Sequence, residues 1–255
     1  MFHYDVHLSV AETVPSVNWG SVMHGILIEK LPTKWQEALH SDQLRPLSQW
    51  VEPVDPVSFI WHLSVLDDSL AEIISAVLQP GNEFQCKHNQ SNMRITDVQV
   101  ISSSITEYMK PFYLSEEPCA GVFLNFRTTT THKLQGRYAV FPSVDLIGKS
   151  LRNHFCSLEP SFVLADDEIL GQILDHTRIA RYNLQSSYYS LEGGRIDGYT
   201  GHLLLRFDGP DPLKRLAGTL FSFAEWTGVG IKTALGMGAC TVAPFQPKKK
   251  TTADR

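Results

Sequence analysis

Positions 228 to 238 read Gly228-Val-Gly230-Ile-Lys232-Thr-Ala-Leu-Gly236-Met-Gly238, four glycines bracketing one lysine. Backbone with so much glycine must turn tightly and let another group come close, because glycine has no Cβ. The apolar run 216–226 before it reads as a helix, and 239–243 after it as a strand. The loop therefore joins the last helix to the last strand. A nest of glycine N–H groups can hold an anion, and Lys232 adds a cation to it. Neither common nucleotide-binding signature fits. A P-loop lysine opens an uninterrupted helix, which Gly236 and Gly238 forbid, and the dinucleotide fingerprint follows the first strand of a βαβ unit. The other reading is a turn that only packs a helix against a strand, and the residues leave both readings open.

At 255 residues the chain is long enough for one large domain or two ordinary ones. No apolar run approaches the ~20 residues of a membrane helix, and the opening MFHYDVHLSV alternates like a strand rather than a signal peptide. A cytoplasmic protein without membrane contact is expected. Cys86, Cys119, Cys156 and Cys240 form no CxxC pair, so neither a disulfide framework nor a zinc site is expected. The absence of HxxE, HExxH and DxD patterns leads to the further expectation of no metal and no cofactor. The net charge of −5 argues against a polyanion partner, but its distribution is uneven. Residues 1–117 carry 6 Lys/Arg against 15 Asp/Glu, whereas residues 118–255 carry 16 against 12. A polyanion is drawn to the second half and repelled by the first.

The order of elements repeats. Strand 2–10, helix 17–31, a short helix 33–39, strand 57–65, helix 68–78 and strand 94–102 give the split βαβ order. After a junction at 113–118 the order restarts with strand 120–130, helix 143–155, strands 178–190 and 195–207, helix 211–226 and the final strand. The expected fold is α+β, with tandem ferredoxin-like (RRM-like) βαββαβ domains at 1–113 and 118–245 and a disordered tail at 246–255.

The run FSFAEWTGVGIKTALGMG resembles the C-terminal glycine-rich motif of the CRISPR-associated endoribonucleases that cut precursor repeat RNA into guide units. LPTKWQEALH, GVFLNFRTTTTH, FPSVDLIGKSLRNHF and GYTGHLLLRF are similar to other parts of that family's layout, and together they span roughly positions 2 to 243. The resemblance implies RNA processing in antiviral defence without metal. The 2′-hydroxyl attacks the adjacent phosphate, leaving a 2′,3′-cyclic (or 3′) phosphate and a 5′-hydroxyl. It implies CRISPR repeat RNA, precursor and product, as partner. A multi-subunit effector complex and a second copy of the chain are further candidates. A non-catalytic RNA-binding subunit of such a complex is the alternative.

Among ten histidines, His40 ends a short helix before the polar loop SDQLR, where a side chain can swing towards a ligand. The family carries its catalytic histidine at the corresponding place. Arg45, with Lys34 as runner-up, is the transition-state cation. Some members place a tyrosine in the first helix, where this chain has Ile28. The expected RNA contacts are Gly228, Gly230, Lys232, Gly236 and Gly238 on phosphates, with Arg178, Arg181 and Arg195 around a hairpin. Tyr182, Tyr188, Tyr189 and Tyr199 interleave there as bases to stack on would require.

Overall fold

The computed structural model describes residues 1–11, 13–40, 46–86, 91–191 and 193–247, with only the backbone of His40. β1 (Phe2–Val10) buries Tyr4, Val6, Leu8 and Val10 and turns His3, Asp5 and His7 to the opposite face. α1 (Gly20–Lys30) packs Met23 and Leu27 into the same core and ends at Leu31, which the following Pro32 holds extended. α2 (Thr33–His40) buries Leu39 beside them. β2 (Leu47–Asp55) and β3 (Ser58–Val65) form a hairpin, and α3 (Asp68–Val77) starts where the Asp67 carboxylate accepts from the Leu70 N–H at 2.8 Å. β4 (Glu83–Gln85) and β5 (Asn92–Ser102) complete a sheet of order β2-β3-β1-β5-β4.

α4 (Ile105–Leu114), opened by a Ser104–Glu107 capping box, leads across to the second sheet. β6 (Gly121–Thr130) is followed by a small hairpin of β7 (His132–Leu134) and β8 (Arg137–Ala139), then α5 (Val144–Leu158) and α6 (Asp167–Asp175). The long hairpin of β9 (Thr177–Leu191) and β10 (Gly194–Phe207) precedes α7 (Asp211–Ser222), α8 (Ala224–Thr227) and β11 (Cys240–Phe245). This sheet has the order β11-β6-β10-β9.

Leaving aside the short edge strand β4, both sheets read 4-1-3-2 in the order their strands occur in the chain, the ferredoxin-like arrangement expected twice. Each sheet covers one face with helices over its own core. One core holds Tyr4, Phe59, Trp61 and Ile74, the other Phe126, Phe155, Leu203 and Phe221. Two elements depart from the pattern read along the chain. β2 contains Pro53, which normally argues against a strand, but β2 is an edge strand and its register shifts there. α4, absent from the order read along the chain, carries Pro111 inside it and runs into the start of the expected junction at 113–118. From Lys248 onward the expected tail lies outside the described residues.

Candidate functional site

The glycine loop is wedged between the two sheets. Gly228, Gly230, Gly236 and Gly238 all have positive φ, and Lys232 is left-handed as well, at φ 58° and ψ 32°. At Gly236 the reason is steric as well as conformational: a Cβ would run into Tyr189 Oη of β9 and come within 2.8 Å of Gly20 Cα, where α1 begins. At Gly230 it would strike the Thr131 carbonyl. Polar contacts fix the same geometry. Gln49 Nε2, from β2, donates to Gly20 O at 2.5 Å and Ala234 O at 2.9 Å, while its Oε1 accepts from Trp61 Nε1 at 2.8 Å. Tyr189 Oη donates to Leu235 O at 2.8 Å, and Ala234 sits within the first core. One buried glutamine thus ties the first sheet, the start of α1 and the loop together.

Most of the loop's N–H groups are spent inside the protein. Gly228 donates to Ala224 O at 2.9 Å, Gly236 to Thr233 O at 3.4 Å and Gly238 to Thr129 O at 3.0 Å. Those of Gly230 and Lys232 find no acceptor among the described residues. The nest expected from four glycines therefore narrows to the Gly230–Lys232 turn, where the lysine side chain is exposed.

His40 is the last residue of α2, and Ser41 to Arg45 lie outside the described residues, as does the His40 side chain. The chain re-emerges into β2, where Ser48 Oγ donates to Trp226 O at 2.9 Å and Gln49 grips the loop. The next described element after α2 is thus the strand that holds the glycine loop. Lys34 is exposed on α2, with its Nζ 5.9 Å from the Trp35 ring centre. Ile28, where some family members carry tyrosine, is buried in the first core.

The three arginines are not one cluster. Arg178 and Arg195 both lie on the β9–β10 hairpin, but Arg195 pairs with Ser190, so at ~3.3 Å per residue the two are about 40 Å apart along β9. Arg178 contacts Asp208 at 3.0 Å, whereas Arg195 contacts Asp197 at 2.7 Å and lies over Tyr188, 4.3 Å from its ring centre. Arg181 is exposed. Tyr182 and Tyr188 are exposed, with Phe141 meeting the Tyr182 ring edge-on and Arg195 covering one face of Tyr188. Tyr189 and Tyr199 are buried, so the expected row of four stacking tyrosines is halved.

Gln49 and Gly20 escaped the sequence reading, in which Tyr189 stands as a stacking ring rather than a prop for the loop, because these roles depend on long-range packing. So did a polar cluster on the open face of the first sheet. His3 Nε2 lies 3.1 Å and His62 Nδ1 2.6 Å from Asp5 Oδ1, and hydrogen bonds from His3 and His62 hold that carboxyl far below the usual carboxylate range. Elsewhere, burial pushes His132 and His154 down to about 4.

A family model described as CRISPR-associated endoribonuclease Cas6 matches residues 124–240. A CRISPR-associated endoribonuclease Cas6 of Streptococcus thermophilus is 27% identical over 225 residues, 88% of this chain and 91% of the relative. Its Mycobacterium tuberculosis counterpart is 25% identical over 240 residues, 91% of this chain and 74% of the relative. A solved Cas6 product complex from Thermus thermophilus aligns with a TM-score of 0.79 at 22% identity, covering 95% of this chain and 100% of the other. That likeness is one of fold, the tandem ferredoxin-like architecture. In sequence along most of its length, and in fold, the family that this chain resembles is that of the Cas6 CRISPR-associated endoribonucleases.

Proposed function

We propose that this chain is a Cas6-type endoribonuclease that cuts CRISPR precursor RNA once within each repeat, without metal, in the cytoplasm. Its similarity to the Cas6 endoribonucleases supports RNA cleavage in CRISPR precursor processing. One observation carries the mechanism: the glycine loop is keyed by Gln49 to the strand that the His40 segment enters. RNA laid on that loop would be presented to the segment bearing the imidazole.

In the proposed step the 2′-oxygen forms a bond to phosphorus as the bond to the 5′-oxygen breaks. His40 either accepts the 2′-hydroxyl proton or donates one to the departing 5′-oxygen. Arg45, or Lys34, offsets charge on the crowded phosphorane. The Gly230–Lys232 turn holds a backbone phosphate, helped by Arg195 and Arg181. Arg178 lies at the far end of β9 from Arg195 and meets a different stretch of RNA, and the exposed carboxylates beside both arginines compete only weakly. Residues 1–113 bring the imidazole, and 118–245 bring the RNA surface.

A non-catalytic repeat-binding subunit is the second reading, favoured by the acidic first half and by buried Ile28 in place of a tyrosine. Labelled repeat RNA incubated with the protein in EDTA separates them. A single cut within the repeat supports the nuclease. Retention without cutting supports the binder if the RNA also stays whole when divalent metal is restored, and a cut only then exposes a metal requirement.

A further inference from the structure

We propose that His3, Asp5 and His62 form a site for one divalent transition-metal ion of the zinc class. The site follows from strand geometry. The two-residue period of β1 puts His3 and Asp5 on its open face, and antiparallel pairing sets His62 of β3 directly opposite Asp5. One ring nitrogen each of His3 and His62 and a carboxylate oxygen of Asp5 lie within 4.8 Å of one another, and His3 Nε2 and His62 Nδ1 both face Asp5 Oδ1. Two imidazoles and one carboxylate converging on a point are a common donor set for zinc and its neighbours, and a poor one for magnesium or calcium.

The surrounding groups are arranged as around bound metal. Ligating histidines usually give their second ring nitrogen to a fixed polar partner. Here His3 Nδ1 lies 2.8 Å from Ser64 Oγ, and His62 Nε2 lies 3.2 Å from Glu52 Oε2. Glu52 is itself fixed by Arg127 of β6 at 2.6 Å. The Trp50 ring stacks on His62 at 4.1 Å between centres and 13° between planes, which fixes the ring's orientation. The three donors border a cavity of about 370 Å³ that also reaches Glu225 and Thr241, leaving room for water in the remaining coordination positions. Each neutral imidazole would turn the lone pair of the ring nitrogen facing Asp5 to the ion and carry its single proton on the other nitrogen, towards Ser64 or Glu52.

This site lies on the other face of the first sheet from α2, whose Leu39 belongs to the helix-covered core, so it takes no part in the cleavage proposed above. Its role is structural. It joins β1 to β3 beside a small cavity that Gly228, Thr233 and Met237 of the glycine loop also line.

The test is calorimetric titration of the chelator-treated full-length protein with zinc, then with magnesium. One zinc per chain, a raised melting temperature and no magnesium binding are expected. Asp5→Asn and His3→Ala, each with wild-type circular dichroism, should abolish binding, and Ser64→Ala should weaken it about ten- to a hundredfold. No stoichiometric zinc binding, or binding undiminished in both Asp5→Asn and His3→Ala, would overturn the site.

Discussion

The two sheets share one strand order and carry opposite burdens. The first, drawn from a half rich in Asp and Glu, gathers imidazoles and carboxylates on its open face. The second extends two strands into a hairpin of 15 and 14 residues bearing exposed arginines and tyrosines. The fold dictates neither set of residues, since both sheets are built by the same alternation of buried and exposed positions. The difference teaches that function here lies in what each half presents across the junction, and that the glycine loop, encoded in the second half but locked by Gln49 of the first, makes them one working unit.

The comparison breaks most visibly if chemistry does not come from the first half. His40→Ala should slow repeat cleavage about 10²–10⁴-fold while leaving RNA affinity nearly unchanged in a filter-binding titration. Wild-type rates would move the chemistry elsewhere. Next in size is the junction itself. Gly236→Val forces a β-branched residue into positive φ against Tyr189 and Gly20, which should cost about 3 kcal/mol or more in denaturant unfolding. Unaltered stability would mean that the loop does not wedge the halves.

Acid should sharpen the contrast. His132 and His154 stay neutral in the fold down to about pH 4, while in the unfolded chain they take up protons near 6.5. The unfolded state therefore binds more protons in that window. Stability from these residues is full above it and drains away as pH falls from about 6.5 to about 4, by on the order of 2–3 kcal/mol per histidine. Asp5 of the first half is also shifted down, but in a carboxylate such a shift favours the charged form, so its contribution is present above the ordinary value of 3.8 and is lost only as pH falls below it. Hydrogen exchange followed against pH should show the second sheet loosening first. The smallest effect is at Lys232. Lys232→Ala should lower affinity several-fold and flatten the salt dependence by about 0.7 in slope, one phosphate on single-stranded RNA, with no change in melting temperature.

Much of this fold is legible along the chain. β1 shows its alternation openly, and Asp67 and Asp166 mark the helix starts they cap. β2 and α4 are obscured because Pro53 and Pro111 are local stop signals that an edge strand and a firmly capped helix tolerate. The site is legible only in part. The glycines announce a tight turn, but Gly236 is demanded by Tyr189 and Gly20, residues distant in sequence, and nothing local reveals that. Likewise His3 reads as facing outward, while its partnership with His62 exists only once β1 pairs with β3. The tyrosines show the limit of composition: four look alike in sequence, and burial separates Tyr189 and Tyr199 from Tyr182 and Tyr188.

The most direct test of metal-free attack by the RNA's own hydroxyl is single-turnover cleavage, in chelator, of a repeat carrying one 2′-deoxyribose just 5′ of the scissile phosphate. The account predicts that this RNA binds as tightly as the all-ribose repeat and stays uncut, while the all-ribose repeat yields a 2′,3′-cyclic phosphate. Cleavage of the deoxy-substituted RNA at the same position would contradict it.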